Sequence, residues 1–344
     1  MTGPMVERHR DTTSRPHIID VHHHFFPSNL NKASSNEKVG WRTPEENLPW
    51  TPELSLRYMD ASGIDIAILS FPAIASGSVG QENRDLARSR NRAMADLCRA
   101  HPHRFGFFAT LPFLDDIEGA LAEIAYALDE LMADGIALSS SYGEGADATY
   151  VGDDRYDPIW RQLNKRSATV FLHGAQTASS TPYPHPFLGI PITEVPNETF
   201  KAAAHLIVTG RKRKYPDVRI ILAHLGGSTP FLAARVAVLS GHMGCNLSPD
   251  EIMEDFKSFY YDTALSAYPT TLTFMQSFVG PERILFGTDF PAASSDTVGW
   301  YTNHVENFYA ANPKKLKKVM SDNALSLFPR FKNHPRAVEH YCSL

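Results

Sequence analysis

The chain has 344 residues, of which 43% are hydrophobic and 21% charged, so it can bury a large core and is not a disordered chain. Its formal net charge of −5, without a basic patch, gives no indication of a nucleic-acid partner. Apolar runs are shorter than the roughly 20 residues of a membrane helix, and the polar N-terminus does not resemble a secretory signal. Three widely spaced cysteines fit a reducing compartment, so we expect a cytoplasmic protein that does not bind a membrane.

Short apolar runs alternate with amphipathic stretches along the chain. The runs predict strands at 17–21, 65–70, 105–111, 135–140, 169–173, 219–224, 259–264 and 283–289, of which 259–264 is the least typical. Most are rich in Ile, Val, Leu or Phe, as is typical of parallel strands buried on both faces. The main helix predictions between them are 82–100, 115–133, 200–208, 230–239 and 313–327.

This alternation favours an α/β fold of one domain, a closed (β/α)8 TIM barrel, with an open doubly wound sheet as the alternative. We expect the barrel to span 17–332, with a flexible N-terminal segment at 1–16 and a C-terminal tail at 333–344. Two connections, 29–52 and 174–195, are too long to be simple turns. Long loops after strands lie on the C-terminal face of a barrel, so both predict pocket walls or lids there.

Potential metal ligands fall at the ends of four predicted strands. The first strand runs into Asp20-Val21-His22-His23-His24, where the period of two puts His22 and His24 on one face and turns His23 away. The complete set is His22, His24, His173, His224 and Asp289. Neutral imidazole and carboxylate suit a divalent metal, of which we expect Zn²⁺, although Mn²⁺ also fits these donors. Because the C-terminal ends of the strands of a barrel meet at one rim, the set predicts a metal site there.

Several motifs carry a family resemblance. They are Asp20-x-His22-x-His24, His173, His224, Gly287-Thr288-Asp289-Phe290-Pro291 and the segments 106–109, 133–135, 158–160, 220–224, 226–227 and 327–330. They resemble the amidohydrolase superfamily, and more narrowly its metal-dependent decarboxylase branch, over roughly 17–332. The resemblance implies that His22, His24, His173 and Asp289 hold the metal. It also implies that His224 is a nearby acid or base. Asp20 would lie behind the ligands or be a ligand itself, because some relatives use a Glu at that position as a ligand.

The chain departs from some relatives in ways that narrow the expectation. The fourth strand ends Ser139-Ser140-Ser141-Tyr142, without the lysine that bridges two metals in many related barrels, so one metal ion is expected. Trp50-Thr51-Pro52 is followed by Ser55 where the aminocarboxymuconate enzymes have an arginine that binds a substrate carboxylate. That substitution counts against a semialdehyde substrate. The resemblance further implies a homodimer.

The implied reaction is non-oxidative decarboxylation of a small ortho-hydroxy aromatic acid, such as 6-methylsalicylate to m-cresol and CO₂. Direct loss of CO₂ would leave an unstable aryl carbanion, so we expect the ring carbon to be protonated first, aided by a metal-held phenolate. Asp289 is the first candidate donor of that proton and His224 the second. We find no glycine-rich loop of the kind that binds nucleotide phosphates, so we expect no cofactor besides the metal. The alternative is a metal-dependent hydrolase of a lactone or amide with His224 as its base.

An aromatic acid needs a flat apolar slot with a few polar groups. Candidate walls that follow strand ends are Phe26, Phe71, Tyr142, Phe290 and Trp300. Candidate contacts to the carboxylate are Ser70 and Ser140. Ordinary loop packing is the alternative for each.

Overall fold

A computed structural model describes residues 17–73, 77–176 and 184–332. The segment expected to be flexible, 1–16, and the expected tail, 333–344, lie outside the described residues, as does part of the long connection 174–195.

Eight parallel strands form the centre of the molecule in the order in which they occur along the chain. They are β1 (Ile19–His24), β2 (Ile66–Ser70), β3 (Phe105–Thr110), β4 (Gly135–Ser139), β5 (Thr169–His173), β6 (Arg219–Leu222), β7 (Tyr260–Asp262) and β8 (Ile284–Leu285). The segment after β8 closes the sheet on β1, because Val21 N donates to Phe286 O at 3.0 Å and Asp289 N donates to His22 O at 2.8 Å. The predicted single-domain (β/α)8 barrel is confirmed, and the open sheet is excluded.

Helices cover the outside of the barrel and its loops. They are α1 (Lys32–Val39), α2 (Pro52–Ser62), α3 (Gln81–Ala100), α4 (Ile117–Ala125), α5 (Asp157–Lys165), α6 (Ile190–Val208), α7 (Arg211–Lys214), α8 (Thr229–His242), α9 (Pro249–Lys257), α10 (Pro269–Phe278), α11 (Ser295–Tyr309), α12 (Pro313–Lys317) and α13 (Asn323–Leu327). One-turn π-helical segments, Tyr126–Glu130 and Lys318–Asp322, follow α4 and α12. None of the helices in the described ranges combines the length and the apolar character that a membrane crossing demands.

Several strands end earlier than the sequence predicts. The predictions 219–224 and 283–289 shorten to β6 and β8, because the backbone turns at His224 and Asp289, whose φ values of 57° and 66° are left-handed. A left-handed non-glycine residue is strained and is found mostly at functional sites. Here the strain turns both side chains out of the sheet ladder at the C-terminal rim.

The inside of the barrel is filled by a buried apolar layer below that rim. Val21, Ile68, Phe108 and Phe171 belong to this layer, and so does Phe328, just after α13, which packs against Phe108. The ring of Phe171 lies 4.8 Å from that of His22 and 5.3 Å from that of Phe108. The layer therefore forms a dry floor beneath the first histidine.

Candidate metal centre

Five side chains from four segments of the rim meet at one point. His22 Nε2 lies 3.3 Å from His24 Nε2 and 3.4 Å from Asp289 Oδ1, and His24 Nε2 lies 2.9 Å from the same oxygen. On the other side, His173 Nε2 lies 3.2 Å from His224 Nε2. All five residues are buried. The potential ligand atoms of His22, His173 and His224 lie within 4.8 Å of one another, as do those of His22, His24 and Asp289.

The hydrogen-bond partner of Nδ1 determines whether Nε2 of the same histidine ring carries a proton. His173 Nδ1 lies 2.8 Å from Gly174 O, and His224 Nδ1 lies 3.0 Å from Ala264 O. A carbonyl oxygen accepts but cannot donate, so each Nδ1 carries the proton and each neutral ring presents a bare lone pair at Nε2. Two lone pairs that face each other at 3.2 Å repel. A cation between them removes that repulsion, so the donor set fits a bound metal ion.

Asp262, at the end of β7, fixes two of the histidines. Its Oδ2 lies 3.0 Å from His22 Nδ1, and its Oδ1 accepts hydrogen bonds from the backbone N–H groups of His224 and Ala264. Burial alone would lower the pKa of His22, but Asp262 and Asp289 outweigh it and raise that pKa to about 10. The two carboxylates therefore create a negative potential that favours a positive charge at His22 Nε2, whether a proton or a metal ion.

Asp289 is held as a carboxylate. Burial would raise the pKa of Asp289, but His22 and His24 outweigh burial and hold it well below its usual range. Its Oδ1 faces both histidines, whereas Oδ2 has no hydrogen bond with any residue in the described ranges. One oxygen is thus free for a second partner.

Asp20 lies behind the candidate ligands, not among them. Its Oδ1 accepts from the backbone N–H groups of His22 and Thr288, and its Oδ2 accepts from the Thr288 hydroxyl at 2.6 Å. His23 Nδ1 lies 3.0 Å from Asp20 Oδ2, and His23 Nε2 lies 2.8 Å from Ser55 Oγ. This buried network ties the end of β1 to the turn that carries Asp289. It also commits Ser55 to His23, away from any substrate.

We call His22, His24, His173, His224 and Asp289, the candidate ligands, the metal-ligand cluster. A cavity of about 420 Å³, a size usual for small-molecule sites, opens onto it. Both long connections contribute to its walls, as expected: Lys32 and Trp41 lie in the first, and Gln176, Pro191, Ile192 and Val195 lie in the second. Phe26, just before the first connection, also lines the cavity. His24, His173, His224 and Asp289 form its base. We call this cavity the rim pocket.

The residues predicted to contact the substrate fall in different places. Phe26 lines the rim pocket, whereas Phe71 and Tyr142 line a neighbouring cavity of about 90 Å³ that also reaches His173. Phe290 lies behind the site, stacked on Tyr58 at 3.8 Å between ring centroids. Trp300 is 49% exposed and stacks on Tyr268. Neither Phe290 nor Trp300 is among the described residues that line the two cavities.

The two predicted serines make contacts within the protein. Ser70 O and Oγ each lie 3.3 Å from His24 Nδ1. Ser140 Oγ accepts from Ala175 N at 2.9 Å. The serines therefore orient a predicted ligand and the loop after β5.

Sequence reasoning missed Asp262 and Lys32. Asp262 had a signal, because it is a carboxylate that ends a strand in the same way as Asp289, but its strand was the least typical of the eight. Lys32 had none, because it lies in a polar loop stretch whose path depends on tertiary contacts.

Comparisons with known proteins agree with this geometry. A family model described as amidohydrolase matches residues 19–330. A 6-methylsalicylic acid decarboxylase of Aspergillus aculeatus is 39% identical over 327 residues, which cover 91% of this chain and 96% of that protein. A 6-methylsalicylic acid decarboxylase of Penicillium expansum is 37% identical over 321 residues, which cover 91% of this chain and 97% of that protein. The structure of a dihydroxybenzoic acid decarboxylase of a Polaromonas species was solved with manganese and the inhibitor 2-nitroresorcinol. It is 25% identical in sequence, with a TM-score of 0.76, and the match covers 92% of this chain and 97% of that chain.

Proposed function

Because this chain belongs to the amidohydrolase family, we propose that it is a carboxy-lyase that removes CO₂ from a small ortho-hydroxy aromatic acid. The substrate we propose is 6-methylsalicylate, which would give m-cresol. Relatives that align over nine-tenths of this chain at 37–39% identity carry that activity in their names. The observation that carries the proposal is the meeting of four imidazoles and one carboxylate, of which all but His22 line the rim pocket.

The residues fit one divalent metal ion. We assign it to His22, His24, His173 and Asp289, with Asp262 and Asp20 behind them. Three nitrogens and one oxygen suit Zn²⁺, which we propose, and the manganese of the Polaromonas relative makes Mn²⁺ the alternative. When bound, the metal supplies a Lewis acid that polarises the oxygen substituents of the acid.

The remaining chemistry is a proton delivered to the ring carbon that bears the carboxylate. The balance is ArCO₂⁻ + H⁺ → ArH + CO₂, so each turnover consumes one proton, which water must restore to the donor. Asp289 Oδ2 and His224 are the candidate donors, because both residues line the rim pocket. Without a ligand, Asp289 is a carboxylate and His224 Nε2 is a bare lone pair, so whichever residue acts must first take up the proton from water. Phe26 provides an apolar surface for the ring there. The floor at Phe171 excludes water from below.

We also propose a cytoplasmic homodimer. Phe231, Val238 and Leu239 of α8 are large apolar residues left exposed on one helix, and Met243, directly after α8, is exposed as well. The neighbouring helix α10, which contacts α8, adds Phe274. Contiguous exposed apolar surface usually marks a protein interface. The three widely spaced cysteines support a reducing compartment such as the cytoplasm.

The test is product analysis with metal-loaded protein. Incubation with 6-methylsalicylate in D₂O should release CO₂ and give m-cresol with one deuterium at the carbon that lost its carboxylate. Cresol without deuterium there would contradict protonation from an exchangeable donor. No cresol, together with cleavage of a lactone or an amide, would favour the hydrolase.

A further inference from the structure

Lys32 is a buried cation in the wall of the rim pocket. It is the first residue of α1 and only 9% exposed, and its Nζ lies 4.6 Å from the centre of the Phe26 ring. The same pocket is lined by Asp289, His24 and His224. No other lysine or arginine is among the described residues that line it.

This position is unfavourable for the folded protein by itself. The Lys32 ammonium has no hydrogen bond and no ion pair with any residue that the structure describes. A buried ammonium without a partner is costly, and a cation at the first residue of a helix opposes the helix dipole. Burial lowers the pKa of Lys32, and the Asp289 carboxylate partly opposes that shift. An anion that enters the pocket would remove the penalty.

We propose that the Lys32 ammonium binds the carboxylate of the aromatic acid in the rim pocket. This inference rests on the proposed function for the identity of the ligand. Lysine is suited to the role because three N–H donors on a flexible stem can follow a carboxylate from several directions. The Phe26 face beneath Nζ restricts the ammonium to one side.

A second cation, the half-buried Arg90, provides a weaker alternative. Its guanidinium stacks on Phe71 at 3.8 Å, and its buried Nε has no partner within the described part of the chain. The cavity that it lines, however, measures about 90 Å³, which is small for an aromatic acid, and Asp289 and His224 do not line it. Lys32 shares a pocket with both residues, so the carboxylate is assigned to Lys32.

The test distinguishes binding of the carboxylate from binding of the aromatic ring. Calorimetry on the metal-loaded protein would use two probes, 2-methylbenzoate, which has the carboxylate, and m-cresol, which lacks it. Lys32→Met should weaken 2-methylbenzoate binding by about tenfold to a hundredfold, the usual cost of a charged hydrogen bond, and leave m-cresol binding nearly unchanged. Lys32→Arg should recover part of the loss. Lys38→Met, on the exposed side of the same helix, should behave as the wild type.

Thermal unfolding of the ligand-free variants provides a readout that excludes a merely structural role. Lys32→Met removes an unpaired buried charge, so its Tm should equal or exceed that of the wild type. A lower Tm, equal weakening of both probes, unchanged 2-methylbenzoate binding, or a wild type that binds neither probe would each overturn the assignment. Turnover of 6-methylsalicylate by the wild type tests the proposed function separately, because a protein that binds the benzoate through Lys32 without releasing CO₂ fails only that proposal.

Discussion

At the scale of single residues, the metal-ligand cluster depends on which ring nitrogen of each histidine is free. His173 and His224 are held by carbonyl oxygens, and His22 is held by Asp262. Each of these partners fixes a tautomer and the direction of a lone pair, so the cluster is arranged for a cation by residues that do not touch it.

Asp262→Asn tests that arrangement. The amide keeps the size of the side chain but loses the charge that holds the proton on His22 Nδ1, so metal affinity should fall by about 10–100-fold. Competition against a chromophoric chelator measures the change. Asp255→Asn is the control, because Asp255 pairs with Arg213 at α9, outside the site. A folded Asp262→Asn protein with wild-type metal affinity would show that Asp262 does not orient the ligand.

At the scale of secondary-structure elements, the rim pocket depends on a close backbone approach. After β6 the chain turns through Gly226 and Gly227, and a Cβ on Gly227, whose φ is +58°, would lie 1.9 Å from Pro196 O in α6. Pro196 lines the rim pocket. The turn that positions His224 is therefore in direct contact with the pocket wall, and only glycine fits there.

Gly227→Ala should lower the free energy of unfolding by more than about 1 kcal/mol, because both the left-handed φ and the backbone clash oppose a side chain. Gly241→Ala is the matched control, since nothing lies within 4 Å of a Cβ at that α8 position. Its Tm should stay the same or rise slightly. Equal Tm values for the two variants would mean that α6 yields to the new methyl group.

The start of α4 provides a pH-dependent contribution to stability. Asp116 caps the helix by accepting from Gly119 N at 3.0 Å and pairs with Arg84 of α3 through two bonds of 2.6 Å. The hydrogen bonds from Arg84 hold the pKa of Asp116 below its usual value, despite burial. A lowered pKa means that this stabilisation is present above about pH 4 and is lost as the pH falls through the pKa of the folded state.

Asp116→Asn should therefore cost about 1 kcal/mol at neutral pH, because asparagine still caps the helix but no longer pairs with Arg84. The difference in free energy of unfolding between the variant and the wild type should shrink as the pH drops below about 4. Urea unfolding at several pH values measures it, with the exposed neighbour Glu118→Gln as control. A difference that grows on acidification would contradict a lowered pKa for Asp116.

At the scale of the whole molecule, the exposed apolar side of α8 should decide the oligomeric state. Phe231 is 77% exposed, and Phe231→Glu would place a charge in the proposed interface. The variant should sediment as a monomer where the wild type sediments as a dimer, while Met132→Gln, at an exposed residue outside α8, should leave the dimer intact. A wild type that is monomeric at micromolar concentration would contradict the dimer.

The sequence predicts much of this architecture because strand order, strand–helix alternation and polar strand ends are all local signals. The eight strands are where they are expected, within a few residues at each end. What it could not predict depends on tertiary contacts. The left-handed turns at His224 and Asp289 shorten β6 and β8. The path of the first long loop buries Lys32, and stacking on Tyr58 holds Phe290 behind the site. No periodic pattern encodes these positions.

The most direct test of the account is a metal titration of the stripped protein. Metal would be removed with a chelator and Zn²⁺ or Mn²⁺ added back in steps, while bound metal per chain and the rate of CO₂ release from 6-methylsalicylate are both recorded. We predict no turnover without metal and a rate that rises in proportion to occupancy and stops at one ion per chain. Full activity of the stripped protein, or a rate that requires two ions per chain, would contradict a single metal held by His22, His24, His173 and Asp289.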